Sequence, residues 1–547
     1  MKKIPFKTVL AILLILIVML TYHTYIHLNI DRERYDNSWG YETEVSFSEM
    51  NAEPIAGKIG ENLLIITFED SGNLYYKLIN KEGEVISEDR EDISKLNNNK
   101  AQNLELVNRE LFFITNNNMY KLTFSQENGF SEKILVKENI SGFNVVDDDN
   151  FTLYNSNEIY SYSYIDENLE ENQAFTLNED NIIDAFVLNK NGNSILITYR
   201  KKSSEEVNVY YNLINFDNNP VEIGTIKSVY NIYKGGTENT LNDGVLTVNS
   251  NFTEYGQQGS KTLKKLLYSI NLKNQDLLYS KVINSNNFKD IINLEDIVDL
   301  ETINGEVYMI GSGFNPENNY TNNNDIFITK INSSGEFYDT SYISNTFKYS
   351  QNPTLVESNG EAHSFWFEVE SDNYKVMYNS NNEEFLGKSS KIKTDEIKDA
   401  MLKASSGPFF ALSMLFIKSS IMIVLFFAVL AVAYMIMYNK DLYEENNERI
   451  RKAILIGIFI IINLISFKFN YIEGTRLYQT PSYLIGGISN IVVPLLINIF
   501  SIGIFYILDR ERKEMGLLWK LLFLLVLDAF IANLIYTPFI MINKIII

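Results

Sequence analysis

Asp528 is the residue whose chemistry most needs an explanation. It is an acid inside an apolar run, Leu525-Val-Leu-Asp-Ala-Phe-Ile-Ala-Asn533. A carboxylate among apolar neighbours must find donors or a counter-charge, because burial alone penalises its charge. Asn533 lies about a turn further on, and Asn463, Asn490 and Asn498 stand in neighbouring apolar runs as candidate donors. The set reads as an intramembrane polar site. Its roles are a proton or ion site, a contact to another membrane subunit, or a hydrogen-bonded tie between helices.

Other candidates are weaker. His23 and His27 stand four apart, so they share a helix face, and two such imidazoles can begin a metal site. No third ligand can be assigned, and Tyr22 and Tyr25 beside them fit an interfacial aromatic belt as well. His363 stands alone in a strand and reads as structural. Asp147 and Asp149 lie in the acidic turn Asp147-Asp-Asp-Asn150, where loop oxygens can hold calcium, but the spaced ligands and glycine of an EF-hand are missing. There is no phosphate loop, nucleophile elbow or His-Glu-x-x-His motif. We therefore assign no catalytic residue, no metal and no cofactor. A pair of catalytic carboxylates stays open, since pairing depends on geometry.

Composition narrows the classes. The chain has 547 residues, a net charge of −22 and no cysteine. Without cysteine there are no disulfides, thiolate metal sites or cysteine nucleophiles. Without a long basic stretch, nucleic acid is not an expected partner.

These residues need elements to hold them. Lys2, Lys3 and Lys7 precede an apolar run from Val9 to Ile26, close to the ~20 residues a bilayer requires, with no small-x-small cleavage site after it. Four further runs follow: Phe409 to Tyr438, Ala453 to Phe467, Tyr483 to Leu508, and Leu517 to Ile542. Lys440, Arg449, Arg451, Lys452, Arg510, Arg512, Lys513 and Lys520 occupy alternate connections, so positive charge places those connections in the cytoplasm. The expectation is three regions. Residues 1–27 are a cytoplasmic stub and transmembrane signal-anchor, residues 28–405 an extracytoplasmic domain, and residues 406–547 a four-helix transmembrane region. The location expected is a cell membrane, multi-pass, with the large domain outside. The Asn-, Ile- and Lys-rich composition points to a bacterial plasma membrane.

Between Ser46 and Lys391 the pattern is repetitive and almost free of helical periodicity. Glu61-Asn-Leu-Leu-Ile-Ile-Thr-Phe68 leads by a polar turn to Leu74-Tyr-Tyr-Lys-Leu-Ile79, and strand–turn–strand units of this kind recur to make seven. Their second strands end near 80, 124, 166, 215, 271, 332 and 379, the spacing of four-stranded propeller blades. Ile79-Asn-Lys-Glu-Gly-Glu-Val85 and Ile331-Asn-Ser-Ser-Gly-Glu-Phe337 are the clearest turns. The pattern resembles the β-propeller repeat superfamily, with quinoprotein-like hairpin repeats, over the ectodomain only. It implies architecture and no activity, and three tryptophans are too few for the recurring tryptophans of the quinone enzymes. The fold expected is an all-β propeller of about seven blades plus α-helical transmembrane segments, one N-terminal and about four C-terminal. Thr43 to Ser48 is placed to close the ring against strands near Glu384 to Lys391.

The function expected is a non-enzymatic membrane-anchored envelope protein. Its propeller binds a protein or glycan ligand, and its helical bundle anchors it or couples it to a membrane partner. The alternatives are a transporter or channel subunit using Asp528, and an extracellular hydrolase or lyase on a propeller.

Overall fold

The computed structural model describes residues 6–32 and 36–405, the latter with breaks of at most ten residues. It also describes isolated positions from 427 to 435 and residues 448–467, 484, 488–511 and 517–542. The chain divides into two compact units, Arg34–Lys391, and Met1–Glu33 with Ile392–Ile547.

Arg34–Lys391 is a seven-bladed β-propeller. Seven antiparallel sheets of at least four strands stand among the described residues. The first uses Ile55–Ile59, Asn62–Phe68, Leu74–Ile79 and Val85–Glu91. The next five occupy 102–138, 142–176, 182–228, 231–283 and 294–342. The seventh combines Ser350–Ser358, Glu361–Glu370 and Asn373–Ser380 with the early strand Thr43–Ser48. Most first strands pack on the first strand of a neighbouring blade around the axis.

The central strands are buried on both faces, so they read as continuous apolar runs rather than alternating ones. Successive side chains still point to opposite faces. Leu64 and Ile66 therefore pack towards Leu111 and Phe113 of the second blade. Leu63 and Ile65 of the same strand pack the other way, against Phe365 and Tyr378 of the seventh. Phe112 and Ile114 in turn meet Phe143 and Phe151 of the third. Each core thus belongs to a pair of neighbouring blades, and the pair of seventh and first blades completes the circle.

Closure differs from expectation in its partner. Thr43–Ser48 pairs antiparallel with Asn373–Ser380, Thr43 opposite Tyr378 and Ser48 opposite Tyr374. The segment near Glu384 to Lys391 is not a strand. Glu383–Ser389 is a helix, begun by the Asn382 side chain accepting the N–H of Phe385 at 2.9 Å.

The two Asn-x-x-Gly-Glu turns are built alike. Asn80 Oδ1 accepts the N–H of Glu82 and Glu84, and Asn332 Oδ1 accepts those of Ser334 and Glu336. Gly83 and Gly335 both stand at φ +78°, a conformation that a Cβ strains. The turns between first and second strands are also linked blade to blade. Asn242 donates to Gly305 O, Asn304 to Gly360 O, and Asn359 to Glu61.

The other unit contains the helices Phe6–Asp31, Glu448–Phe467, Ser489–Glu511 and Leu517–Ile542. No helix among the described residues is long and apolar enough to cross a membrane. This overturns the signal-anchor, the transmembrane segments expected over these helices and the multi-pass membrane location with an outside domain. The parts of these helices whose side chains are described are interrupted by Thr21, His23, Thr24, His27, Asn463, Asn498, Ser501, Asp528 and Asn533. Each such group needs a partner that hydrocarbon does not supply. Apart from isolated positions, the run Phe409 to Tyr438 lies outside the described residues.

Candidate functional site

The first cluster lies in the helical unit. Asn463, on Glu448–Phe467, donates through Nδ2 to Asp528 Oδ2 on Leu517–Ile542 and to Asn498 Oδ1 on Ser489–Glu511, both at 2.9 Å. Asn498 donates to Pro494 O at 2.8 Å. Asn533 is buried on the same helix as Asp528, and Asn490 is half-buried in the first turn of Ser489–Glu511.

The remaining sequence candidates are placed elsewhere. His23 and His27 are buried on Phe6–Asp31, with His23 Nε2 2.6 Å from Leu534 O. Asp147 Oδ1 accepts from the Asn150 side chain and the Asp149 N–H within its own turn, while Asp149 is exposed. Among the described residues no group of three or more His, Asp and Glu is arranged to hold a metal ion. His363 lies 2.8 Å from the Tyr378 hydroxyl, which donates to Lys81 O, and burial holds its imidazole down at about 4.

Two places in the propeller were not singled out from sequence. The first is the axis. Glu105, on the first strand of the second blade (Gln102–Val107), and Asp299, on the first strand of the sixth (Leu294–Ile303), lie deep in the ring but are still touched by solvent. That is the position of a channel-lining group. Burial, reinforced by the charge of Asp299, pushes Glu105 up to about 8. Burial also raises Asp299, against the pull of N–H groups of Leu355 and Leu300 at 2.8 and 2.7 Å and the Thr354 hydroxyl at 3.0 Å.

The second place is a cleft of about 320 Å³ between the fifth and sixth blades. Asn242 and Asp243 border it from one turn, and Asn332 and Ser333 from another. Tyr279, Tyr338, Glu306 and the hydroxyls of Thr247 and Ser269 complete the wall. Tyr279 packs on Gly335, where a Cβ would come within 2.6 Å of its ring, and Lys281 donates to Gly335 O. Tyr338 donates to Glu306 at 3.2 Å. The cleft thus offers aromatic faces beside amide, hydroxyl and carboxylate groups. The one signal in the sequence was the Asn332 turn itself, already notable as a repeat motif.

No family model matches the chain, and no curated protein matches it. Among solved structures it is similar to the WD40 domain of Toxoplasma gondii coronin, at 10% identity over 67% of this chain and 92% of that one, with a TM-score of 0.37. It is also similar to Chaetomium thermophilum Sqt1, at 8% over 61% and 97%, TM-score 0.32. A third is the phage phi92 endosialidase, at 10% over 62% and 68%, TM-score 0.32. The propeller itself rests on the strand pairing and closed ring of this chain.

Proposed function

We propose that the protein is a non-enzymatic binding protein whose propeller takes a glycan in the cleft between the fifth and sixth blades. The observation that carries this reading is the lining. Sugars present apolar C–H faces and a rim of hydroxyls. The cleft has Tyr279 and Tyr338 for the first, and Asn242, Asp243, Glu306 and Asn332 for the second. Its size fits the range of small-ligand sites.

Titration of the purified chain against a panel of neutral and acidic oligosaccharides tests it. Tyr279→Ala and Asn242→Ala should each weaken binding about tenfold or more, a loss of ~1.4 kcal/mol, without loss of the β-sheet circular-dichroism signal. Absence of saccharide binding, with a protein crosslinked at this cleft instead, would replace the glycan by a protein ligand.

A second reading, a propeller hydrolase, is favoured by the axial pair. A carboxyl that keeps its proton near neutral pH beside a second acid is the usual requirement for general-acid chemistry on a glycosidic bond. Saccharide turnover that is lost in Glu105→Gln would select this reading over simple binding.

A further inference from the structure

The polar cluster of the helical unit has buried acceptors that its hydrogen bonds do not reach. Asp528 is 6% exposed and Asn463 3% exposed. Asn463 spends both Nδ2 hydrogens, one on Asn498 Oδ1 and one on Asp528 Oδ2. Asn498 Nδ2 is committed to Pro494 O. The Ser501 hydroxyl donates to Ile497 O at 2.8 Å and lies within hydrogen-bond reach of Asp528. Two buried oxygens, Asp528 Oδ1 and Asn463 Oδ1, are left without a hydrogen-bond partner. A buried acceptor without a partner costs roughly 1–3 kcal/mol, and more when it carries charge.

Among the residues of the three helices whose side chains are described, none is basic. On Leu517–Ile542 the nearest basic residue to Asp528 is Lys520, two turns away, about 12 Å at 1.5 Å per residue. Within Glu448–Phe467 the nearest to Asn463 is Lys452, about 16 Å distant on the same measure, and Lys468 follows directly after the helix, five residues from Asn463. On Ser489–Glu511 the nearest to Ser501 is Arg510, about 13 Å distant.

We propose that Asp528, Asn463 and Ser501 bind a monovalent metal cation, sodium. The ligand atoms are all hard oxygens, which select a hard cation over a soft one. One carboxylate balances one positive charge, whereas a divalent ion would leave the buried site with a net charge. The amide and hydroxyl oxygens add ligands without adding charge. This proposal is independent of the glycan reading.

Equilibrium dialysis of the purified full chain with radiolabelled sodium tests it. Saturable binding is expected, together with a thermal midpoint that rises with NaCl relative to choline chloride at equal ionic strength. Asp528→Asn should weaken sodium binding at least tenfold. Ser501→Ala, a smaller change, should weaken it less and keeps the test informative if Asp528→Asn does not fold. Sodium binding retained in folded Asp528→Asn overturns the proposal. So does wild-type protein that binds no sodium and shows the infrared carbonyl band of a protonated acid, unchanged by NaCl and absent in Asp528→Asn.

Discussion

Glu105 shows how one carboxyl can acquire a role from its surroundings alone. Its strand places it at the axis, where burial and Asp299 both disfavour its charge, and its pKa moves from 4.5 to about 8. Through that window the folded chain keeps a proton that the unfolded chain has released. Folding stability therefore falls as pH rises from about 4.5 to 8. Glu105→Gln keeps the shape and removes the titration. It should flatten the dependence of the urea midpoint on pH across this range, and an unchanged slope would assign the dependence to another group. Neither Glu105 nor Asp299 stands out in the sequence, which holds 69 acidic residues. Asp299 sits within Ile297-Val-Asp-Leu300, readable as a weak strand but not as half of a pair.

At the level of elements, the turn is where local sequence and ligand chemistry meet. The Asn332 side chain replaces three separate loop hydrogen bonds by one local set, the reason Asn is favoured in such turns. Gly335 gives the left-handed residue and leaves room for Tyr279. Gly335→Ala should cost about 1–2 kcal/mol in the turn and should also push Tyr279 into the cleft. Urea unfolding and saccharide titration measure the two effects separately. A variant with wild-type stability and binding would show that this turn does not shape the cleft. The helix Glu383–Ser389 teaches the converse. It was legible in retrospect from Asn382 followed by Glu383 and Glu384, a capping residue and acids in the first turn, but the surrounding β pattern masked it.

At the level of the molecule, stability depends on closing a circle of blade-to-blade cores. The strand Thr43–Ser48 supplies the last one, and Val45 is 4% exposed within it, against Phe365, Val376 and Leu63. Val45→Asp would bury an unpaired charge at the seam and should cost roughly 3–5 kcal/mol. The cost should appear as a lower unfolding midpoint and as proteolysis beginning at the first or seventh blade. Equal protease resistance of variant and wild type would mean that the ring holds without this seam. Acids on the outer strands pair with neighbouring lysines, as in Lys77–Glu88 and Lys330–Asp339, and exposed pairs of this kind contribute little to stability.

The repeat was legible because each blade solves the same local problem. Two apolar central strands and a polar turn recur every 42 to 61 residues, so period and blade number follow from the chain alone. Pairing across some 300 residues is not encoded locally. Hydrogen-bond geometry chose Asn373–Ser380 as the partner of the early strand, and only the folded ring reveals that choice. The apolar runs likewise announced helices, but hydropathy could not say what those helices do with their polar residues. The meeting of Asn463, Asn498 and Asp528 across three helices, and of Glu105 and Asp299 across the axis, depends on distances in space that spacing along the chain does not contain.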